Sequence, residues 1–279
     1  MDAPFNQVFT PGNLQELFSA WSRFPDAVPF AGGTDIIRSQ GGQALALPRN
    51  ILSLDMLEEL RRITRTERYL EIGAMVKISD IIYLGKVVPE ILTRCLMEIA
   101  GPQLRNLASI GGNICCPGRR LDASAPLIAL DAHYELRNAS SFRWISAARF
   151  ASLPGPLAIN PQELLTRIRI PLERWDYSLH KKFTLPGKQG EAGGLIVLIA
   201  RIQKSILTDL RIVYAGDRVL RDKNTDTLLI GKQLPLDRKD ALNFTEHWKT
   251  YLSALDAPDA LVQAKMLNFI QAGVLGLAD

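Results

Sequence analysis

The sequence holds few residues of the types that bind metals or build disulfide frameworks. Its 279 residues include three cysteines, Cys95, Cys115 and Cys116. Three thiols are too few for a disulfide framework, and the vicinal pair lacks the C-x-x-C spacing of zinc ribbons and iron–sulfur sites. We therefore expect no metal site and buried, unreactive cysteines. A thiol close to a redox cofactor is the alternative.

Motifs of common enzyme classes are also missing. The three histidines, His133, His180 and His247, lie far apart and lack the H-E-x-x-H spacing. The sequence has no G-x-G-x-x-G, no G-x-x-x-x-G-K-[ST] and no G-x-S-x-G. We therefore expect no catalytic side chain in this chain. If the protein is an enzyme, a cofactor carries the chemistry.

Long apolar runs and blocks of like charge are absent too. The longest apolar run, residues 195–200, is far shorter than the roughly 20 residues of a membrane span. Residues 1–10 lack the basic and apolar regions of a secretory signal. The net charge of +4 comes from scattered residues, which is atypical of nucleic-acid binding. These features predict a cytoplasmic protein that has no membrane span and does not bind nucleic acid.

Two short glycine clusters, residues 31–35 and 109–113, are the most informative feature present. Each follows a stretch with strand character, residues 27–30 and 104–108. Paired glycines permit positive φ and can expose consecutive amide hydrogens to an anion. Two such clusters predict a long ligand with a charged middle, such as a dinucleotide. The alternative is that both are only tight turns.

The remaining pattern predicts an α+β protein. Apolar spacing at Leu14, Leu17, Phe18 and Trp21 predicts a helix capped by Asn13. Ser79 is expected to cap a short helix. A polar loop is predicted over residues 171–194, followed by strands over 195–203 and 206–214. Helices are predicted over 237–255 and 260–277.

Several blocks in order resemble one known family. They cover residues 9–14, 31–35, 105–113, 121–122, 126–132 and 163–171. The block Arg-Asn-Leu-Ala-Ser-Ile-Gly-Gly-Asn at 105–113 is the most specific. On these residues the chain resembles the FAD-binding medium subunit of molybdenum hydroxylases, the family of the xanthine dehydrogenase and carbon monoxide dehydrogenase flavoproteins.

The resemblance implies a fold and a domain division. The expected fold is α+β, with a two-part FAD-binding domain of the vanillyl-alcohol oxidase or PCMH type and a small α+β C-terminal domain. The FAD-binding domain would span residues 1–172, in subdomains of about 1–56 and 57–172. Residues 173–279 would form a domain like the C-terminal domain of the carbon monoxide dehydrogenase flavoprotein.

The resemblance also implies which residues bind FAD. The first glycine loop and its flanks would form one side of a cradle for the diphosphate, through Phe30, Ala31, Gly32, Gly33, Thr34, Asp35 and Ile36. The second loop would form the other side, through Ala108, Ser109, Gly111, Gly112 and Asn113.

Four residues outside the loops complete this set. Asp122 would accept hydrogen bonds from ribose hydroxyls, and Leu164 and Leu165 would lie against the flavin–adenine pocket. Lys182 would be the basic residue beside the cofactor. From residue chemistry alone, Ile36, Ile110 and Leu165 are candidates for an apolar flavin slot.

The function implied is electron transfer. Iron–sulfur clusters of a small subunit would reduce the FAD, which would pass electrons to an acceptor such as NAD, while a molybdopterin-binding large subunit oxidises the substrate. The chain departs from the family at Arg119 and Arg120, where small neutral residues are commoner. We expect a solvated pair there, and the alternative for either arginine is a contact with a phosphate or with a partner. The alternatives are a flavin reductase acting on an enolpyruvyl sugar nucleotide and a flavin-free assembly subunit.

Overall fold

The computed structural model describes residues 6–40, 46–151, 156–184, 192–255 and 259–277, without the side chain of Ala192. The strands are β1 Gln7–Phe9, β2 Val28–Phe30, β3 Asn50–Ser53, β4 Ile63–Arg65, β5 Tyr69–Gly73, β6 His133–Arg137, β7 Phe142–Ser146, β8 Leu164–Pro171, β9 Tyr177–Thr184, β10 Ala192–Gln203, β11 Ile206–Ala215 and β12 Val219–Leu220. The α-helices are α1 Leu14–Arg23, α2 Thr34–Ser39, α3 Ile78–Tyr83, α4 Glu90–Met97, α5 Pro102–Arg105, α6 Ile110–Ile114, α7 Ser124–Ala129, α8 Ala147–Phe150, α9 Lys223–Asp226, α10 Arg238–Ala254 and α11 Ala260–Leu275. Short 3-10 helices span Glu58–Arg61, Gly85–Val87 and Thr227–Leu229.

A parallel three-stranded sheet in the order β1-β3-β2 opens the chain. Helix α1 packs beside it because its residues Leu14, Leu17, Phe18 and Trp21 are buried on one face. The predicted cap is confirmed, since the Asn13 side chain accepts a hydrogen bond from the Glu16 amide at 2.9 Å. This small layer positions β2, from which the first glycine loop emerges.

An antiparallel five-stranded sheet follows in the order β4-β5-β8-β6-β7. Its inner face packs on α3, α4 and α7 to form the largest core cluster. Strand β8 closes this sheet by pairing with both β5 and β6, although about 90 residues separate it from β5. The second glycine loop lies at the start of α6, beside the end of β5.

The third sheet, β12-β11-β10-β9, is antiparallel. Strand β10 is buried on both faces, which explains its unbroken apolar sequence. Leu195, Val197 and Ile199 pack into the core that contains α7, whereas Ile196 and Leu198 pack into the core that contains α10 and α11. The predicted strands after residue 194 and both predicted C-terminal helices are confirmed.

Three local predictions are wrong. The predicted strand at residues 104–108 is the end of α5 and the turn after it, because Pro102 starts a helix and Arg105 donates to the Ile99 and Ala100 carbonyls at 2.9 and 2.7 Å. Helix α3 begins at Ile78, so Ser79 lies inside it and is not its cap.

The third wrong prediction is the polar loop over residues 171–194. Its described part contains β9, whose polar side chains belong to an edge strand, since β10 is its one partner among the described strands. Residues 185–191 of that prediction lie outside the described residues. In the described part of the chain, no helix combines the length and apolar character that a membrane crossing requires.

Candidate functional site

A cleft of about 1740 Å³ lies between the first sheet, the second sheet and one end of the third. Gly33 and Gly112, one from each glycine loop, both line it. So do the other residues predicted to bind the cofactor, with the exception of Phe30. The structure therefore brings into one cavity predicted residues that are up to 151 positions apart in the sequence, from Ala31 to Lys182.

The first loop turns from β2 into α2. Gly33 has φ of +66°, and a Cβ there would lie 2.5 Å from Phe30 Cζ, so the Phe30 ring supports the loop from beneath rather than lining the cleft. Helix α2 starts at Thr34 without a side-chain cap. The amides of Thr34 and Asp35 have no acceptor among the described residues, as at any uncapped helix start. They are the free donors that this loop offers to an anion.

The second loop differs from the expectation of bare amides. The amides of Ile110 and Gly111 donate to the carbonyls of Val76 and Ala74, at 3.0 and 2.8 Å. The Gly112 amide donates to Ser109 Oγ at 3.1 Å, because Ser109 caps α6. The first two amides hold the loop against the segment that follows β5, and the third is used within the loop itself. On the cleft side, Gly111 and Gly112 form a surface without side chains, and Ser109 contributes its hydroxyl.

Asp122 and Lys182 form an ion pair in the cleft wall. Lys182 Nζ lies 2.7 Å from Asp122 Oδ2 and 2.8 Å from the Glu98 carbonyl oxygen. The side chains are 14% and 24% exposed. Burial raises the pKa of Asp122, and the Lys182 ammonium only partly opposes this rise. The two residues thus present polar groups to a ligand from a partly desolvated position.

The apolar candidates separate into two groups. Leu164 and Leu165, on β8, and Ile36, on α2, line the cleft. Ile110 does not, because it is 1% exposed and its side chain packs into the largest core cluster. The prediction that Ile110 lines an apolar flavin slot is therefore wrong. Its neighbours in the second loop face the cleft, whereas its own side chain points away from it.

The Cys116 thiol, close to both loops, is buried and protonated. Cys116 Sγ donates to Asp35 Oδ2 at 3.3 Å and so connects the segment after the second loop to the first loop. Burial raises the pKa of Cys116 to about 11. Burial would also raise the pKa of Asp35, but hydrogen bonds from Arg38 and Cys116 outweigh it and lower that pKa. Asp35 is therefore an anion at neutral pH.

The third sheet contributes cleft residues that the sequence analysis missed. Gly194, with φ of +109°, lies against Tyr214, and a Cβ on Gly194 would be 2.6 Å from the ring. The Tyr214 hydroxyl donates to the Gly193 carbonyl oxygen. Gly216 and Asp217, after β11, complete this wall. The Gly193-Gly194 pair inside an apolar strand was the sequence signal for it.

The cleft fits FAD in size and in chemistry. Its volume exceeds the roughly 300–1,000 Å³ of most small-ligand pockets, as a dinucleotide requires. Amide donors at the start of α2 and the side-chain-free wall of the second loop suit a diphosphate. Apolar side chains of β8 suit the rings.

Comparison with known proteins agrees with this geometry. The family described as the FAD binding domain in molybdopterin dehydrogenase matches residues 3–173. The glyceraldehyde dehydrogenase medium chain of Sulfolobus acidocaldarius is 27% identical over 227 residues, covering 80% of this chain and 80% of that protein. Xanthine dehydrogenase 2 of Arabidopsis thaliana is 28% identical over 246 residues, and this match covers 80% of the chain but spans only 18% of the plant protein.

The fold also recurs among solved structures. A chain of quinoline 2-oxidoreductase from Pseudomonas putida 86 superposes with a TM-score of 0.81, covering 99% of this chain and 96% of that one at 21% identity. At such an identity the likeness establishes the fold alone. The family match covers more than half of the chain and confirms the expected cofactor, FAD. The chain therefore belongs to the family of FAD-binding domains in molybdopterin dehydrogenases.

Proposed function

We propose that this protein is the FAD-binding electron-transfer subunit of a multi-subunit molybdenum-containing dehydrogenase. It would take electrons from iron–sulfur clusters of a small subunit and deliver them to an acceptor such as NAD. The observation that carries the proposal is the meeting of both glycine loops, Asp122 and Lys182 in one cleft. Similarity to a medium chain over 80% of both proteins supports assignment to a subunit rather than to a complete enzyme.

The fold proposal is finer than the family assignment. We assign residues 1–172 to a two-part FAD-binding domain of the PCMH type and residues 173–279 to a C-terminal domain. The first sheet spans residues 7–53, the second 63–171 and the third 177–220 in the described chain. These separate sheets support the proposed division. A cytoplasmic location stays a prediction.

Each group in the cleft has a role in this proposal. The amides of Thr34 and Asp35 and the Ser109 hydroxyl would bind the diphosphate. Asp122, held by Lys182, would accept hydrogen bonds from hydroxyls of the cofactor. Leu165 would exclude water from the ring system. Bound FAD supplies the ability to accept and release electrons, which the side chains of this chain lack.

The partners follow from the chemistry that this chain leaves to others. In the described part of the chain, no group of three or more His, Cys, Asp or Glu side chains is placed to hold a metal ion. We therefore assign molybdenum and iron–sulfur chemistry to a molybdopterin-binding large subunit and an iron–sulfur small subunit. Those subunits, rather than this chain, would determine which substrate is oxidised.

Flavin content is the first test of this function. The purified full chain is expected to carry close to one FAD per chain, or to bind added FAD at that ratio, as measured by absorbance and fluorescence. A colourless protein that ignores added FAD would refute the proposal and favour a flavin-free assembly role. Purification from the native source, followed by identification of co-eluting subunits, tests the assignment of partners.

Reduction by NADH tests the proposed acceptor. Flavin bleaching by NADH in the isolated subunit would support NAD, since electron transfer between the two cofactors is reversible. Rapid NADPH oxidation with an enolpyruvyl sugar nucleotide, in the absence of any partner, would instead identify a stand-alone reductase.

A further inference from the structure

Two adjacent arginines in the cleft wall differ from the solvated pair expected from the sequence. Arg120 is 4% exposed, and its backbone amide donates to the Gly216 carbonyl oxygen at 2.7 Å. Arg119 is half-buried and lines the same cleft. The expectation of a solvated pair is therefore wrong for Arg120. The hydrogen bond to Gly216 fixes this segment against the third sheet.

Neither guanidinium is neutralised by a carboxylate in the described part of the chain. Two other cations close to the loops have counter-ions, since Arg38 pairs with Asp35 at 2.8 Å and Lys182 pairs with Asp122 at 2.7 Å. Arg119 lies close enough to both carboxylates to lower their pKa values, but within ion-pair distance of neither. Its positive charge is thus available to a ligand.

Arg120 has an unfilled hydrogen-bonding position. Its Nε donates to the Ala151 carbonyl oxygen at 3.0 Å and its Nη1 to the Arg119 carbonyl oxygen at 3.4 Å. Among the described residues, its Nη2 is buried without a hydrogen-bond partner. A buried cation that lacks an anion is costly, and an incoming anion removes that cost. Arg120 is thus a second, independent indication of an anionic ligand.

We infer that Arg119 and Arg120 form a cationic site for the diphosphate of FAD, added by this chain to the uncharged glycine loops. The inference rests on the proposed function. A diphosphate carries two negative charges, and guanidinium groups match phosphate oxygens in geometry as well as in charge. The second loop uses its own amides internally, so side-chain cations supply what its backbone does not.

The test compares FAD dissociation constants of the flavin-free full chain and its variants over a range of salt concentrations. Arg119→Gln is expected to raise the dissociation constant about tenfold, the usual effect of losing one charge-assisted hydrogen bond. It should also flatten the salt dependence, because one fewer charge is screened. Arg119→Lys should restore the salt dependence but only part of the affinity. Arg174→Gln, which removes a 91% exposed arginine outside the cleft, is the matched control.

The outcomes are separable. If the unmodified chain binds no FAD, the proposed function itself fails. If it binds FAD but Arg119→Gln stays within twofold of it, or weakens binding without changing the salt dependence, only the cationic site is overturned. Arg120→Met tests the second arginine independently. Thermal unfolding of the flavin-free variant is measured as well, so that a loss of stability can be distinguished from a loss of FAD binding. If the folded Arg120→Met variant binds FAD more weakly and with a weaker salt dependence, the cationic site is supported. If its FAD affinity and salt dependence match those of the unmodified chain, the role of Arg120 is overturned.

Discussion

Gly32 lies against the Leu107 carbonyl group, and a Cβ at Gly32 would be 2.0 Å from that oxygen. The same oxygen accepts a hydrogen bond from Lys77 Nζ at 2.9 Å. The first glycine loop thus touches the backbone that leads into the second loop. The contact explains why one glycine of the first pair is required, independently of any cofactor. It also fixes the distance between the two sides of the cleft.

Replacing Gly32 by alanine should therefore separate the loops. The Cβ has no room beside the Leu107 backbone, so we expect the free energy of unfolding to fall by about 2 kcal/mol and FAD affinity to fall with it. Urea unfolding and flavin titration measure both effects. Gly12→Ala is the control, because its Cβ would lie 3.5 Å from the end of the Glu16 side chain. Equal stability of the two variants would contradict the assigned role of Gly32.

Part of this arrangement could be predicted from the sequence. The cap at Asn13 and the apolar run at residues 195–200 have local causes, and the structure confirms the helix and the strand that they predict. The family resemblance predicted Asp122 and Lys182 as cofactor-binding residues, and no local sequence pattern indicates that the two lie close together. Their 2.7 Å contact depends on a pairing between β9 and β10 that brings Lys182 to the cleft.

Other parts depend on tertiary contacts that residue types do not encode. Strand β9 has the polar composition of a loop, and becomes a strand because β10 offers it a free edge. Arg120 is charged and adjacent to Arg119, which favours solvent on composition alone. Its burial follows from the hydrogen bonds with Gly216 and Ala151, and both acceptors are backbone carbonyls.

Lys182→Met should change the pH dependence of stability. Burial raises the pKa of Asp122 above its usual 3.8, and Lys182 opposes that rise. A raised carboxyl pKa contributes stability below the unfolded-state value, which is lost as the pH rises through the folded-state value. Without Lys182 the carboxylate is harder to ionise, so the variant should lose about 2 kcal/mol near neutral pH and much less near pH 4.

Urea unfolding of the flavin-free protein at several pH values measures this difference. The neighbouring Lys181→Met is the matched control, because Lys181 is exposed on the other face of β9 and should show little pH-dependent loss. Parallel stability–pH curves for the Lys182 variant and the unmodified protein would show that the ion pair does not hold Asp122 charged.

The cysteines should resist labelling in the folded protein. Burial raises the pKa of Cys116 to about 11 and that of Cys115 to about 12. For Cys116 this lowers the thiolate fraction by roughly 300-fold relative to a thiol of pKa 8.5. Cys95 is fully buried. Maleimide or disulfide-exchange labelling at neutral pH is therefore expected to be slow in buffer and fast in denaturant. Fast labelling of Cys116 in the native protein would indicate an activated thiol beside the cleft.

Asp131 connects the second and third sheets, and its charge should matter for stability. Its carboxylate lies 2.7 Å from Arg211 Nη1 and 2.9 Å from Arg221 Nη1, whose side chains are 13% and 11% exposed. Asp131→Asn is the suitable change, because φ at this position is +51° and asparagine tolerates that conformation. The variant removes one carboxylate partner from each of two nearly buried guanidinium groups, although Arg211 keeps Asp209 at 3.2 Å. We therefore expect a loss of about 1–3 kcal/mol in urea unfolding.

The control for Asp131→Asn is Glu90→Gln, which breaks the exposed pair between Glu90 and Arg94 on one face of α4. Such a pair contributes only about 0.3–0.5 kcal/mol, so the two losses should differ severalfold. High salt should narrow the difference only slightly, since the Asp131 pairs are shielded from solvent on the arginine side. Similar small losses for both variants would mean that apolar packing between α7 and β10 and β11, rather than this charge, holds the third sheet against the second.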